Sequence, residues 1–521
     1  MAKRKVTIST NPATGEVIGK TPEQTVDELE HAVVRAKIAQ AIWASVSFHE
    51  RKKHLLKIRD YIVEHADQIA EVIAKDTGKT KMDALSTEVL TVPMALTYYV
   101  SHAGKILKRK KLHGGSILTI NKRSYVDRVP VGVVGIISPW NYPFAIPFHE
   151  IAMALIAGNG VVLKVSSHTL AVGKLIAECI ESAGLPSGLF SLVNLPGKIA
   201  GDAFLESGIN KLFFTGSVAV GKVLMAKAAE RLVPVSLELG GNDAMIVCAD
   251  ANLHRAASGA LWAGMSNAGQ SCAAVERIFV EQGVYDDFVS LLKNKMDGLK
   301  QGIDVDSNVD IGSMTTKEQY KKVLALIGDA VRKGAVAYPE VPKKSKGKGL
   351  FIPPTILENV NDDMKVMTEE IFGPVLAVKK ADSIDEAIAR ANASKLGLTA
   401  SVWTRSRRKG HAIAAKLEAG SVMINDNLMS HGLAETPWGG WKESGIGRTH
   451  GFIGLEEMTQ PRCVVDDILP GVQKNMWWHP HSKEVYTGLS SALVFLYKKT
   501  VFGKISAGFK LMRVFMRTFR K

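Results

Sequence analysis

The chain has 521 residues, 46% of them hydrophobic and 22% charged, and a formal net charge of +15. Its length exceeds one ordinary hydrophobic core and predicts two or more domains, while its composition excludes a fibrous or disordered protein. Four scattered cysteines (Cys179, Cys248, Cys272, Cys463) and a basic N-terminus with no apolar stretch behind it argue against a disulfide framework and against export, so a reducing, cytoplasmic compartment is expected.

In chain order, Thr25 to about Leu107 reads mostly helical, with "ERKKHLLKIRDYIVEHADQIAEVIAKDTG" closing at Gly78. The stretch "KLHGGSILTINKRSYVDRVPVG" alternates β-branched and aromatic residues, and predicts a protruding hairpin of the kind that pairs with another subunit. From Val131, five apolar runs ("VGVVGII", "GVVLKV", "LFSLVNL", "KLFFT", "PVSLEL") alternate with helical patterns such as "PFAIPFHEIAMALIAG". This order predicts an α/β fold with a parallel, doubly wound sheet that binds ligands at the carboxyl ends of its strands. Beyond Gly241 the alternation resumes with "AMIVCAD", "RIFVEQ" and "GPVLAVKK", which predicts a second α/β domain. There is no internal repeat and no low-complexity linker.

Cys179 in "LIAECIESAG" and Cys248 in "AMIVCAD" sit in apolar runs and read as core. Cys272 follows Gly-Gln-Ser in "NAGQSCAAVERIFV", a loop composition in which backbone approaches a ligand closely, and reads as a reactive, stabilised thiol.

Further blocks fall where a doubly wound fold puts its chemistry: "SPWNYP", "FFTGSVAVGK" and "LELGGN" at strand ends, then "EEIFGPV", "GSVMIN" and "PWGGWKESGIGR". Together with "GQSCA" they resemble the NAD(P)-dependent aldehyde dehydrogenase superfamily, from "NPATGEVIG" to about Val465. The resemblance implies a Rossmann-type dinucleotide-binding domain (1–110 and 129–241), a catalytic thiol domain (242–440) and an oligomerisation arm (111–128 and 441–470), followed by a basic tail (471–521).

It also implies oxidation of an aldehyde to the carboxylic acid. Cys272 would form a thiohemiacetal and then a thioester, and Glu238 would act as general base for the hydrolytic water. The Asn141 amide and the Cys272 backbone N–H would form the oxyanion hole. NAD or NADP would rest on "TGSVAVG", which replaces the usual G-x-G-x-x-G: Gly216 and Ser217 hold the pyrophosphate at the helix start, and Gly221 allows close packing. Lys164 would lie near the adenosine ribose and Glu370 on the nicotinamide ribose, with Trp140, Gly197, Leu239 and Phe372 completing the cofactor contacts. No metal is expected.

Departures from the family pattern carry their own expectations. Lys164-Val165-Ser166-Ser167 stands where Lys-Pro-Ser-Glu is usual. The missing carboxylate would bond the ribose hydroxyls and repel a 2′-phosphate, so Ser167 predicts that NADP is tolerated beside NAD. Trp438 for Phe, Asn242 for Lys and "GRTHG" for "GRELG" bear on the substrate tunnel and subunit contacts.

The resemblance stops after Val465, and the net charge is concentrated beyond it. Residues 485–521 contain Lys498, Lys499, Lys504, Lys510, Arg513, Arg517, Arg520 and Lys521, with no Asp or Glu. With no zinc-finger spacing, RNA-binding aromatic motif or basic stripe elsewhere, nucleic acid is excluded as a partner. Projected as a helix from Ile505, the basic residues from Lys510 onward cluster opposite Ile505, Phe509, Met512, Phe515, Met516 and Phe519. Lysines interrupt every apolar run, so this predicts a helix lying on the cytoplasmic face of a membrane rather than spanning it. Packing on a partner subunit of a homodimer or homotetramer is the alternative. A medium- or long-chain aliphatic aldehyde is the expected substrate; the alternatives are a small polar aldehyde such as a semialdehyde, and a catalytically inactive membrane-bound scaffold. A cysteine hydrolase would need a histidine beside Cys272, which the sequence does not place, and Glu238 argues against a CoA-acylating enzyme.

Overall fold

The computed structural model describes residues 4–340 and 349–519. They form two compact units: the chain up to Lys108 with Arg128–Gln460, and Arg109–Asp127 with Pro461 onward.

The first unit opens with helices whose ends are fixed locally. Thr25 and Glu28 form a capping box that starts helix Val26–Ser45, and Gly78, at φ 81°, ends helix Ala66–Thr77 where the sequence predicts. Trp43, Leu55, Ile69, Ile73 and Tyr99 from this helical region are fully buried in one core with the first sheet.

That sheet contains the five expected strands: β1 (Val133–Ile137), β2 (Gly160–Lys164), β3 (Phe190–Leu192), β4 (Lys211–Thr215) and β5 (Val235–Glu238). They are parallel in the order β5-β4-β1-β2-β3, and Gly445–Ile446 adds an antiparallel edge to β5. Helix α1 (Ala145–Ala157) follows β1, and α2 (Val218–Arg231) follows β4. β1, β2 and β4 are buried along their whole length, which is why they read as continuous apolar runs rather than as alternation.

The second sheet has seven strands: β6 (Asp243–Val247), β7 (Val275–Glu281), β8 (Val336–Tyr338), β9 (Thr355–Glu358), β10 (Val375–Ala381), β11 (Thr399–Trp403) and β12 (Ser421–Ile424), in the order β8-β9-β10-β7-β6-β11-β12. The sequence reading separates only β6, β7 and β10. The others are three to five residues long, too short for a periodicity of their own. Helix α3 (Leu253–Met265) joins β6 to the loop that carries Cys272.

In the second unit the expected hairpin is present, with Lys110 opposite Val126 and Leu112 opposite Ser124, and Thr459–Asp467 adds a third strand. The tail differs from the sequence expectation. It forms two helices, α4 (Lys483–Tyr497) and α5 (Val501–Met516), because Lys498-Lys499-Thr500 interrupts the apolar pattern between them. Gly488 lets them approach closely, since a Cβ there would meet Val514 Cγ2 at 2.1 Å. Val485, Ala492, Leu511 and Val514 form their small core. Arg520 and Lys521 lie outside the described residues. Among those described, no helix is long and apolar enough to cross a membrane.

Candidate active site

Cys272 sits in a loop whose shape is set by hydrogen bonds from distant parts of the chain. Asn267 and Ala268 adopt left-handed conformations, at φ 52° and 53°. Asp83 holds this turn by accepting the Ser266 hydroxyl at 2.7 Å and the Asn267 N–H at 2.9 Å. Gln270 braces it from the other side: its Nε2 donates to the Asn267 carbonyl at 2.9 Å and its Oε1 accepts the Thr315 N–H at 2.8 Å.

The loop after β1 meets this turn directly. Asn141 Nδ2 donates to the Gln270 carbonyl at 3.1 Å, while the Asn141 carbonyl accepts Asn267 Nδ2 at 2.9 Å and Lys79 Nζ at 2.7 Å. One amide N–H of Asn141 is thereby anchored and a second remains for another oxygen. Among the described residues the Cys272 N–H has no hydrogen-bond acceptor, and Asn141 and Cys272 line the same cavity, so each brings an uncommitted donor to it.

Glu238, the last residue of β5, is buried beside the Cys272 thiol and the Trp438 indole. Burial pushes its carboxyl up to about 8, although Cys272 and Trp438 work the other way. The Cys272 thiol is itself pushed well above its ordinary range, first by burial and then by Glu238. This corrects the expectation of a stabilised thiolate. The charges acting on the sulfur, those of Glu238, Asp243 and Glu370, are all acidic, so the resting pair is a neutral thiol beside a carboxyl.

Two cavities of about 220 Å³ each reach Cys272. The first runs past Trp140, Asn141, Gly216, Ser217, Glu238, Leu239, Lys322, Glu370 and Phe372. Trp140 and Phe372 meet edge to face at 5.5 Å. Ser217 caps α2 by accepting the Val220 N–H, and the first turn of the helix leaves N–H groups for an anion. Glycines keep the floor clear. At Gly240 a Cβ would come within 2.6 Å of Glu370 Oε1, and at Gly221 within 2.5 Å of Leu239 Cδ2. A helix N-terminus and a lysine for phosphate, with a carboxylate for ribose hydroxyls, fit a dinucleotide. Lys164 is buried at the end of β2, Ser167 is half-buried in the following loop, and Gly197 starts helix Gly197–Glu206; none of these three lines the cavity. No cluster of His, Cys, Asp or Glu among the described residues could hold a metal ion.

The Aldehyde dehydrogenase family profile matches residues 2–464. The chain belongs to the aldehyde dehydrogenase family. It is 35% identical to the 4,4′-diapolycopene aldehyde oxidase of a Methylomonas species, over 94% of this chain and 90% of that one. It is 36% identical to a putative NADP(+) succinate-semialdehyde dehydrogenase of Mycolicibacterium smegmatis, over 87% of each. A crystal structure of a Staphylococcus aureus betaine aldehyde dehydrogenase mutant with NAD+ superposes with a TM-score of 0.85 at 31% identity, covering 91% of this chain and 96% of that one.

In this NAD(P)-dependent aldehyde dehydrogenase the second cavity reaches Cys272 from a different set of walls. Leu90, Met94, Ile146, Trp262, Met429 and Trp438 are among its walls, together with Tyr142, hydroxyl residues and His431. Among the described residues no Asp, Glu, Lys or Arg lines it. His431 is kept neutral, pushed down to about 4 by burial, and packs edge-on against Trp438 at 5.0 Å. Sequence reasoning reached Trp438 but missed Met94, Trp262 and His431, which carry no motif and join the dehydrogenase pocket only through tertiary packing. Asp83 and Gln270 are equally silent in their roles, since the sequence around Gln270 shows only loop composition.

Proposed function

We propose that the dehydrogenase oxidises apolar, aliphatic aldehydes of medium or long chain with NAD or NADP. The observation that carries this reading is the uncharged, largely apolar cavity at Cys272. A semialdehyde would bring a carboxylate to a pocket with no cation to receive it, a burial that is costly without a partner. A cationic aldehyde is the second reading, favoured by the aromatic rings of Tyr142, Trp262 and Trp438 in the same walls.

In this mechanism Glu238 takes the thiol proton as the Cys272 sulfur bonds to the aldehyde carbon. The free Asn141 N–H and the Cys272 N–H hold the developing oxyanion. Gly216, Ser217 and the start of α2 would hold the cofactor pyrophosphate, and Glu370 the ribose. A dinucleotide held there would supply the oxidant, its nicotinamide ring as hydride acceptor. A thioester then remains on Cys272; Glu238, having released the thiol proton to solvent, takes a proton from the attacking water, the C–S bond breaks, and that proton passes to the sulfur as the acid leaves.

Three finer assignments go with this reading. Ser167 accommodates NADP, which is supported by a loop that carries hydroxyls and no carboxylate beside the buried Lys164. Residues up to 110 with 129–241 form the cofactor domain, 242–440 the thiol domain, and 111–128 with 441–470 an arm for a homodimer or homotetramer. The tail beyond residue 470 holds a cytoplasmic enzyme at a membrane surface, supported by its basic, acid-poor composition. A panel of aldehydes ordered by chain length, with a semialdehyde and a betaine aldehyde included, tests the substrate assignment. A kcat/KM that rises with chain length is expected, and a maximum at either charged aldehyde would overturn it.

A further inference from the structure

Helices α4 and α5 meet through Gly488, Ser491, Ala492 and Ala507 and the small core of Val485, Leu511 and Val514, all buried, while many of their large apolar side chains stay exposed. Phe502 is 90% exposed, Phe509 72% and Met512 57%. At 100° per residue, Val501, Phe502, Ile505, Phe509, Met512 and Met516 fall within about 100° of arc on α5. Each of these six is exposed. On α4, Tyr486, Leu493 and Tyr497 form a second exposed stripe, spaced seven and four residues apart. Soluble monomers rarely leave so large an apolar face uncovered.

Beside the α5 stripe lies an apolar groove of about 490 Å³, lined by Ile117, Ile120, Met476, Phe495, Phe509 and Met512 among others. Ile117 and Ile120 are themselves exposed. Arg517 holds one wall in place by donating to the carbonyls of Met476 at 3.4 Å and Trp478 at 3.2 Å. Basic side chains border the stripe: Lys510 and Arg513 on α5, and Lys498 and Lys499 where the helices join, all exposed. No Asp or Glu follows Glu484.

We infer that the α4–α5 hairpin is a docking surface for an anionic lipid bilayer, with Phe502, Phe509 and Met512 entering the acyl region and the flanking lysines and arginine meeting lipid phosphates. This rests on the membrane attachment proposed above and assigns the face that makes it. Charge selects the occupant. A second copy on this face would bring like charges together, whereas an anionic surface neutralises them. Neither helix is long and apolar enough to span, so the hairpin lies in the interface.

The test is co-sedimentation of the full-length enzyme with vesicles of phosphatidylglycerol and phosphatidylcholine, and with phosphatidylcholine alone. It compares wild type, Phe502→Glu/Phe509→Glu, and Lys498→Ala/Lys499→Ala/Lys510→Ala/Arg513→Ala. Wild type is expected to bind the anionic vesicles at least tenfold better than neutral ones, and each variant to lose tenfold or more. Oxidation of a short soluble aldehyde, unchanged in all three, confirms folding. Equal binding of wild type and the Phe variant would overturn this face while leaving tail attachment standing. No binding of wild type would overturn attachment itself. A change of oligomeric state by light scattering in the Phe variant would assign the face to a second copy.

Discussion

Lys79 and Glu88 pair at 2.6 Å with neither side chain reaching solvent, and together they fix the loop that carries Asn141. Lys79 Nζ also donates to the Asn141 carbonyl at 2.7 Å, and Glu88 Oε2 accepts the N–H groups of Phe144 at 2.8 Å and Ala145 at 3.2 Å. Removing either partner leaves the other charge buried and unpaired, which costs about 3–5 kcal/mol. Lys79→Met is therefore expected to lower stability in urea by that amount and to reduce turnover further by loosening Asn141. Unchanged stability would mean that the pair is not buried in solution.

The pH dependence follows from Glu238. Its carboxyl titrates at about 8, so it is protonated in the neutral range and becomes a base only as pH rises. Because the charged form does the work, the hydrolytic step should climb about tenfold per pH unit below 8 and level off above it. Single-turnover release of the acid measures this step, and Glu238→Gln should be slow and lack the rise. A flat wild-type profile between pH 6 and about 9 would remove Glu238 from the role of base.

Pocket charge is open to a direct exchange. Leu90 is 55% exposed and lines the cavity at Cys272, so Leu90→Arg adds a cation with little disturbance of the core. The expected result is a fall of about tenfold in kcat/KM for an aliphatic aldehyde, some 1.4 kcal/mol, and a gain for succinate semialdehyde. If both substrates fell together, the charge of the pocket would not be what selects between them.

Cofactor choice can be tested at Ser167. If the proposed place of Ser167 beside the 2′-position holds, Ser167→Glu should lower kcat/KM with NADP by about a hundredfold, close to 2.7 kcal/mol, while NAD is little affected. Equal effects on both cofactors would place Ser167 away from the 2′-phosphate.

Much of this site is legible in the sequence because its residues lie at strand ends, where the chain order of strand, turn and helix puts them. Glu238 closes β5, Asn141 follows β1, and Gly216 and Ser217 lie between β4 and α2. What supports them is not legible. Lys79, Asp83 and Glu88 belong to a stretch that carries no motif and reads only as part of a mostly helical region, and tertiary packing turns them into buried braces. The thiol environment is not legible either, because loop composition says nothing of which charges converge on Cys272. In the tail, a single-helix projection captured the apolar side of α5 but not α4 or the turn between them, since pairing through Gly488 depends on contacts between segments far apart along the helix pattern.

The most direct test is mass spectrometry of the Cys272 peptide from the wild-type enzyme, acid-quenched within a single turnover with a long-chain aldehyde and cofactor, before the thioester is hydrolysed. An acyl group on Cys272, formed with stoichiometric reduced cofactor and absent in Cys272→Ala, is the predicted result. Reduced cofactor formed without an acyl group on Cys272, or turnover retained in Cys272→Ala, would contradict covalent catalysis at this thiol.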